Sequence, residues 1–139
     1  MSAVPHQATC VAIGERGVLI EGEPGSGKSS LALALIDRGA ILVGDDGVLL
    51  EMRDGRLWAL PPPHIGGLLE IRNVGLVTFP ATPAPLALVL QLDPEAPRHI
   101  EAPDRVTLAG LDLPMVRLWP GSPVLVLRAE WALALHGTP

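Results

Sequence analysis

The 139-residue sequence has no tyrosine, one phenylalanine (Phe79), one cysteine (Cys10) and one lysine (Lys28); every other basic residue is arginine. So few aromatic rings leave no stacking platform for single-stranded nucleic acid. A net charge of −5 argues against the basic face that duplex binding needs. A lone cysteine permits no internal disulfide, which fits a reducing compartment. No apolar run approaches the roughly 20 residues of a membrane helix. The opening Met1-Ser2-Ala3-Val4-Pro5-His6 lacks the basic-then-apolar pattern of a leader. The expectation is a cytoplasmic protein that binds neither nucleic acid nor membrane. With 48 % hydrophobic residues and so few rings, the core must be aliphatic, and residues 1–139 are read as a single domain. Of fifteen prolines, nine gather at 61–63, 80–85 and 94–103 and mark loops.

What is present is concentrated in Gly22-Glu23-Pro24-Gly25-Ser26-Gly27-Lys28-Ser29, which fits the phosphate-loop pattern Gly-x-x-x-x-Gly-Lys-Ser without a gap. Its glycines let the backbone curl so that several N–H groups converge on phosphate oxygens. Lys28 would reach the outer phosphates of a bound nucleotide and Ser29 would place its hydroxyl on Mg²⁺. The apolar run 17–21 before the loop predicts a strand. The run 31–36 after it predicts a helix whose positive N-terminus faces the anion, stopped at Arg38-Gly39. Further strands are expected near Thr9–Ile13, Ala40–Gly44 and Leu86–Leu92, with two more between Arg105 and Leu118 that turn at Ala109-Gly110. Val48–Arg53 and Arg56–Leu60 read as a hairpin about Asp54-Gly55. A closing helix over Val124–His136 is predicted, with Ser122 as N-cap, Pro123 as first helical residue and Gly137 as stop. The fold class is α/β: a mixed, strand-rich sheet carrying a phosphate loop and few helices.

Asp45-Asp46 ends the strand after the loop helix. Asp at a strand end is commonly a turn former, but a strand–loop–helix–strand unit is expected to return its second strand beside the first and so bring these carboxylates to the loop. There they can hold a metal or accept a proton. Asn-Lys-x-Asp, the guanine reader, cannot occur with Lys28 as the sole lysine. Nor is there a Leu-Ser-Gly-Gly-Gln run or an arginine-rich lid. His64, His99 and His136 lack metal-ligand spacing.

Together with the loop region 17–46 and Pro62-Pro63-His64-Ile65, the stretch Leu68-Leu69-Glu70-Ile71-Arg72-Asn73-Val74-Gly75-Leu76-Val77-Thr78 resembles the catalytic domain of bacterial HPr serine kinase/phosphorylase. The likeness runs from about His6 to about Val126, is strongest from Gly17 to Gly75, and is to the short proteobacterial form without the N-terminal domain. It implies a fold related to phosphoenolpyruvate carboxykinase, ATP and Mg²⁺ as cofactors, and an HPr-like phosphocarrier of a phosphotransferase system as protein partner. It also implies hexameric assembly. By position it implies Lys28 as the loop lysine, Asp46 as base toward the substrate serine, and Ser29 and Glu70 as magnesium ligands; Asp45, from its place at the strand end, is a further candidate ligand. It further implies an upstream histidine at His6 and an arginine near the transferred phosphate at Arg105. Three departures stand out. Asn73-Val74-Gly75 replaces Gly-Leu-Gly, the loop at Pro80–Pro85 is short, and Ser122 stands where an arginine tied to the phosphorylase reaction is expected. Kinase activity is therefore expected to exceed phosphorylase activity. A catalytically inert nucleotide-responsive module and a small-molecule kinase are the alternatives.

Overall fold

The computed structural model describes residues 3–139 and contains two helices packed on a large mixed sheet. The chain begins with a short edge strand, β1 (Val4–His6), absent from the sequence-based expectation. Three residues carry no readable period, and Pro5 is tolerated only because the strand pairs on one side, with residues 48–50. β2 (Thr9–Ile13) and β3 (Arg16–Glu21) form a hairpin about Gly14, where φ is +63°. The phosphate loop leads into α1 (Lys28–Asp37). This helix ends in a Schellman turn, with Ala40 N–H donating to Leu35 and Gly39 N–H to Ile36 at 3.0 Å each. β4 (Ile41–Gly44) follows, then β5 (Val48–Arg53) and β6 (Arg56–Leu60). Asp54 and Gly55 both take positive φ between them, as a type I′ turn requires. β7 (Leu68–Ile71) and β8 (Gly75–Thr78) make a separate two-stranded ribbon. β9 (Ala84–Leu92), β10 (Asp104–Leu108), β11 (Leu111–Leu118) and α2 (Leu125–His136) complete the fold.

The main sheet runs β1-β5-β6-β9-β3-β2-β4, with β11 on the far part of β9 and β10 outside it. β3 and β9 are parallel and central, and every residue from Ala87 to Leu90 is buried, as expected of a strand covered on both faces. One face carries α1 and α2 through Leu31, Leu35, Ala129 and Leu133 against Val18, Ile20, Leu88 and Leu90. The other closes on Leu19, Leu57, Leu86, Val89 and Leu113. Both layers are aliphatic, as the composition requires. Cys10 is fully buried, and burial pushes its thiol well above the ordinary range.

Two expectations need correction. β4 does not lie beside β3: β2 is inserted between them, antiparallel to both. The crossover still leaves β3 and β4 parallel, but one strand apart. The closing helix starts at Leu125 with Val124 as its cap residue, so Ser122 and Pro123 precede it. Ser122 does related work one turn earlier, its hydroxyl accepting the Val124 N–H at 3.1 Å.

Candidate active site

The phosphate loop spans Gly22–Ser29, from the end of β3 to the first turn of α1. Gly25 and Gly27 take φ of +79° and +106°, which L side chains resist. A Cβ at Gly22 would meet Ser26 Oγ at 2.5 Å and press on Leu92, so a larger residue there would have to displace the Ser26 hydroxyl. Ser26 Oγ is buried and has no hydrogen-bond partner among the described residues. Lys28 Nζ donates to the carbonyls of Gly22 (2.8 Å) and Glu23 (3.5 Å), arching back over the loop. A tight cradle, an unsatisfied hydroxyl and an ammonium held above the opening fit the phosphates of a nucleotide.

The acidic pair closes the other side. Ser29 Oγ donates to Asp45 Oδ1 at 2.7 Å, and Thr9 Oγ1 donates to the same oxygen at 3.1 Å. The inserted strand β2 therefore contributes a hydroxyl to the bridge between loop and acid. Asp46 follows with φ +61°, a backbone state that Asp tolerates better than most residues, and lines the cleft without a side-chain hydrogen bond to the described residues. The cleft, of about 670 Å³, holds Lys28, Ser29, Asp45 and Asp46 on one wall. Glu70 and Arg72 stand on the ribbon side with Ile65, Leu68 and Leu76. Along β7, Leu69 points into the core beneath α1 and Glu70 is exposed, so the alternation of the strand presents the carboxylate to the cleft. Among the described residues, no group of three or more His, Cys, Asp or Glu side chains is placed to hold a metal. A magnesium site here would draw on the hydroxyl of Ser29 with carboxylates of Asp45 and Glu70, a hard oxygen set that suits Mg²⁺ completed by phosphates and water.

Two expected residues stand apart. His6 lies on β1, its Nε2 3.5 Å from Glu21 Oε1 at the foot of the phosphate loop; it does not line the cleft, whereas Gln7 does. Arg105 sits on β10, exposed, in register with Pro114 and three strands out from β3. Three strand spacings amount to about 14 Å, and Arg105 is not part of the cleft wall. The reason is topological: β9 and β11 intervene. Arg72 is the guanidinium that the fold does bring to the cleft. Thr9, which the structure brings to the acidic pair, is a candidate that the sequence analysis did not name. Its signal was available: a polar residue opening an apolar strand, here fully buried.

A comparison with known families matches residues 2–82 to the HPr Serine kinase C-terminal domain. The chain belongs to this family. HPr kinase/phosphorylase of Clostridium novyi (strain NT) is 48 % identical over 65 residues, which is 47 % of this chain and 21 % of that protein. HPr kinase/phosphorylase of Streptococcus thermophilus (strain ATCC BAA-491 / LMD-9) is 50 % identical over 62 residues, 44 % of this chain and 20 % of that one. The chain thus spans about a fifth of the length of the curated relatives it matches. Beyond that stretch the likeness continues in three dimensions. The Hpr(Ser) kinase/phosphatase from Coxiella burnetii superposes with a TM-score of 0.82 at 26 % identity, covering 94 % of this chain and 89 % of that one. The HPr kinase family match ends before β9, while the structural match extends through most of the chain.

Proposed function

We propose that the protein is an ATP- and Mg²⁺-dependent serine kinase that phosphorylates an HPr-like phosphocarrier of a phosphotransferase system. The observation that carries this reading is the Ser29–Asp45 hydrogen bond of 2.7 Å, which couples a phosphate loop to an acidic strand end and leaves the adjacent Asp46 free to act. ATP would supply the phosphoryl group, and Mg²⁺ on Ser29, Asp45 and Glu70 would offset the charge of its outer phosphates. The substrate serine hydroxyl attacks the terminal phosphorus; its proton passes to Asp46; the bond to the leaving ADP oxygen breaks. A neutral hydroxyl needs such a base as bonding begins. Lys28, released from the Gly22 and Glu23 carbonyls, and Arg72 on the facing ribbon balance the charge on the transferred group. Arg105 has no role in this scheme within one chain, and His6 acts on the loop only through Glu21.

The names of its relatives, the family match and the cleft support this reading together. No described helix is long and apolar enough to cross a membrane. A hexameric or smaller homo-oligomer is supported by the exposed apolar stripe Val124, Leu127, Trp131 and Leu135 along α2. With Ser122 in place of an arginine, reversal by inorganic phosphate should be slow. The Arg105 placement favours, as second reading, an inert nucleotide-responsive module. Purified protein, γ-labelled ATP and an HPr-like protein separate the possibilities. Label on a carrier serine is expected. Nucleotide binding with nothing labelled supports the inert module, and label on free metabolites alone a small-molecule kinase.

A further inference from the structure

A second cleft, of about 470 Å³, opens at the end of the sheet remote from the phosphate loop, where β3, β6 and β9 begin. Arg16 and Arg56, the first residues of β3 and β6, line it with Trp58, Pro83, Pro85 and Glu15. None of these residues belongs to the nucleotide cleft.

The charges here are arranged against the fold's own interest. Arg56 faces Arg53 directly across the β5–β6 ladder, and like charges in that relation are destabilising. Arg53 is relieved: its Nε donates to Glu51 at 3.1 Å and its guanidinium lies 5.4 Å from the Trp58 ring centre. Arg56 is not relieved. Among the described residues it has no carboxylate within ion-pair distance, and its Nη2 is shut off from solvent without an acceptor. Arg16, half-buried like Arg56, also makes no ion pair with a described residue. Glu15 stays exposed at the turn before β3 and forms no ion pair with either arginine. A guanidinium donor withheld from both water and acceptors is costly unless something arrives to accept from it.

We infer that this cleft binds a small organic oxyanion, a carboxylate or a phosphate monoester, held by Arg16 and Arg56 with its apolar body along Trp58, Pro83 and Pro85. Guanidinium forks match both kinds of oxyanion, and the volume is that of a metabolite-sized site. The inference does not rest on the kinase reading, because it uses none of the same residues.

The test is isothermal titration calorimetry of the Lys28→Ala protein, in which anion binding at the phosphate loop is weakened, with benzoate, phenyl phosphate and neutral benzyl alcohol as probes. Saturable one-to-one binding of benzoate, phenyl phosphate or both is expected, with none for the alcohol. Binding of one probe alone identifies the kind of oxyanion. Arg56→Gln and Arg16→Gln, each made in the Lys28→Ala background, should each weaken binding at least about tenfold, the loss of a charge-assisted contact. The probe should raise the melting temperature of the parent and not that of the Arg56→Gln form. If Arg56→Gln does not fold, Arg16→Gln is judged by the same criterion. Absence of saturable binding by both anions, or unchanged binding in the folded arginine variants, overturns the inference.

Discussion

Every residue lining the nucleotide cleft lies between Gln7 and Leu76, whereas the stretch from β9 onward supplies the buried floor and the second helix. The first region matches the family by sequence; the second shares its fold with the Coxiella burnetii structure, and the family match does not reach it. The contrast follows from what each region must do. A phosphate cradle needs particular atoms at particular places: a tightly wound loop, an ammonium, a hydroxyl on an acid. A floor strand needs only aliphatic residues of about the right volume, and cores tolerate much exchange among these. The family match thus covers the region where the chemistry is local and stops before the region where packing is the main demand.

The sharpest way to break this contrast is Lys28→Ala. Its ammonium contacts only loop carbonyls, so the fold should persist while transfer to the carrier falls on the order of 10³-fold. A folded Lys28→Ala protein with full transfer would remove the phosphate-cradle reading altogether. Next is Asp46→Asn, which keeps shape but cannot take a proton; about 10²-fold loss of transfer rate is expected, with ATP affinity held nearly constant. Asp45→Asn should instead weaken Mg²⁺ dependence, since Asp45 is the acid bonded to Ser29. Were Asp45→Asn to abolish proton transfer and Asp46→Asn to be silent, the two roles would have to be exchanged. In the floor, Leu90→Ala should cost about 2–5 kcal/mol of stability, read from urea unfolding, with transfer per folded molecule little changed. A selective loss of turnover in that variant would show that the floor steers chemistry as well as supporting it. Smallest of all, Arg105→Ala should alter transfer less than about twofold, an exposed charge outside the cleft being worth little. Arg72→Ala, measured beside it, should lose clearly more. The reverse order would mean that Arg105 reaches an active site by a route outside its own chain.

Sequence reading located the loop, its flanking strand and helix, the hairpin about Asp54-Gly55 and the acidic pair, because each carries a short-range signature that physics ties to a few neighbours. It did not see β1, too short for a period, nor the β7–β8 ribbon as strands, where Glu70 and Asn73 interrupt the apolar pattern. It also placed β4 against β3. The crossover rule speaks to handedness and direction, and β2, lying upstream of the whole unit, gives no local sign that it will enter the gap. Arg105 was assigned to the site by likeness alone, and only the strand order reveals the two strands between.

The insertion of β2 has a bearing on how the molecule comes to be made. On a ribosome, β2, β3, α1 and β4 emerge as one uninterrupted stretch, and their hydrogen-bonded pairs all close within residues 9–45. The Ser29–Asp45–Thr9 cluster can thus assemble early. The other edge of β3 must wait for β9, with Glu21 meeting Gln91 half the chain away. Until then a nearly finished phosphate site sits on a sheet with an open, apolar flank. Non-local parallel pairing is slow and bare edges invite strands from other chains. A nascent protein arrested before β9 would carry the phosphate loop and the acidic pair on a sheet that tends to aggregate.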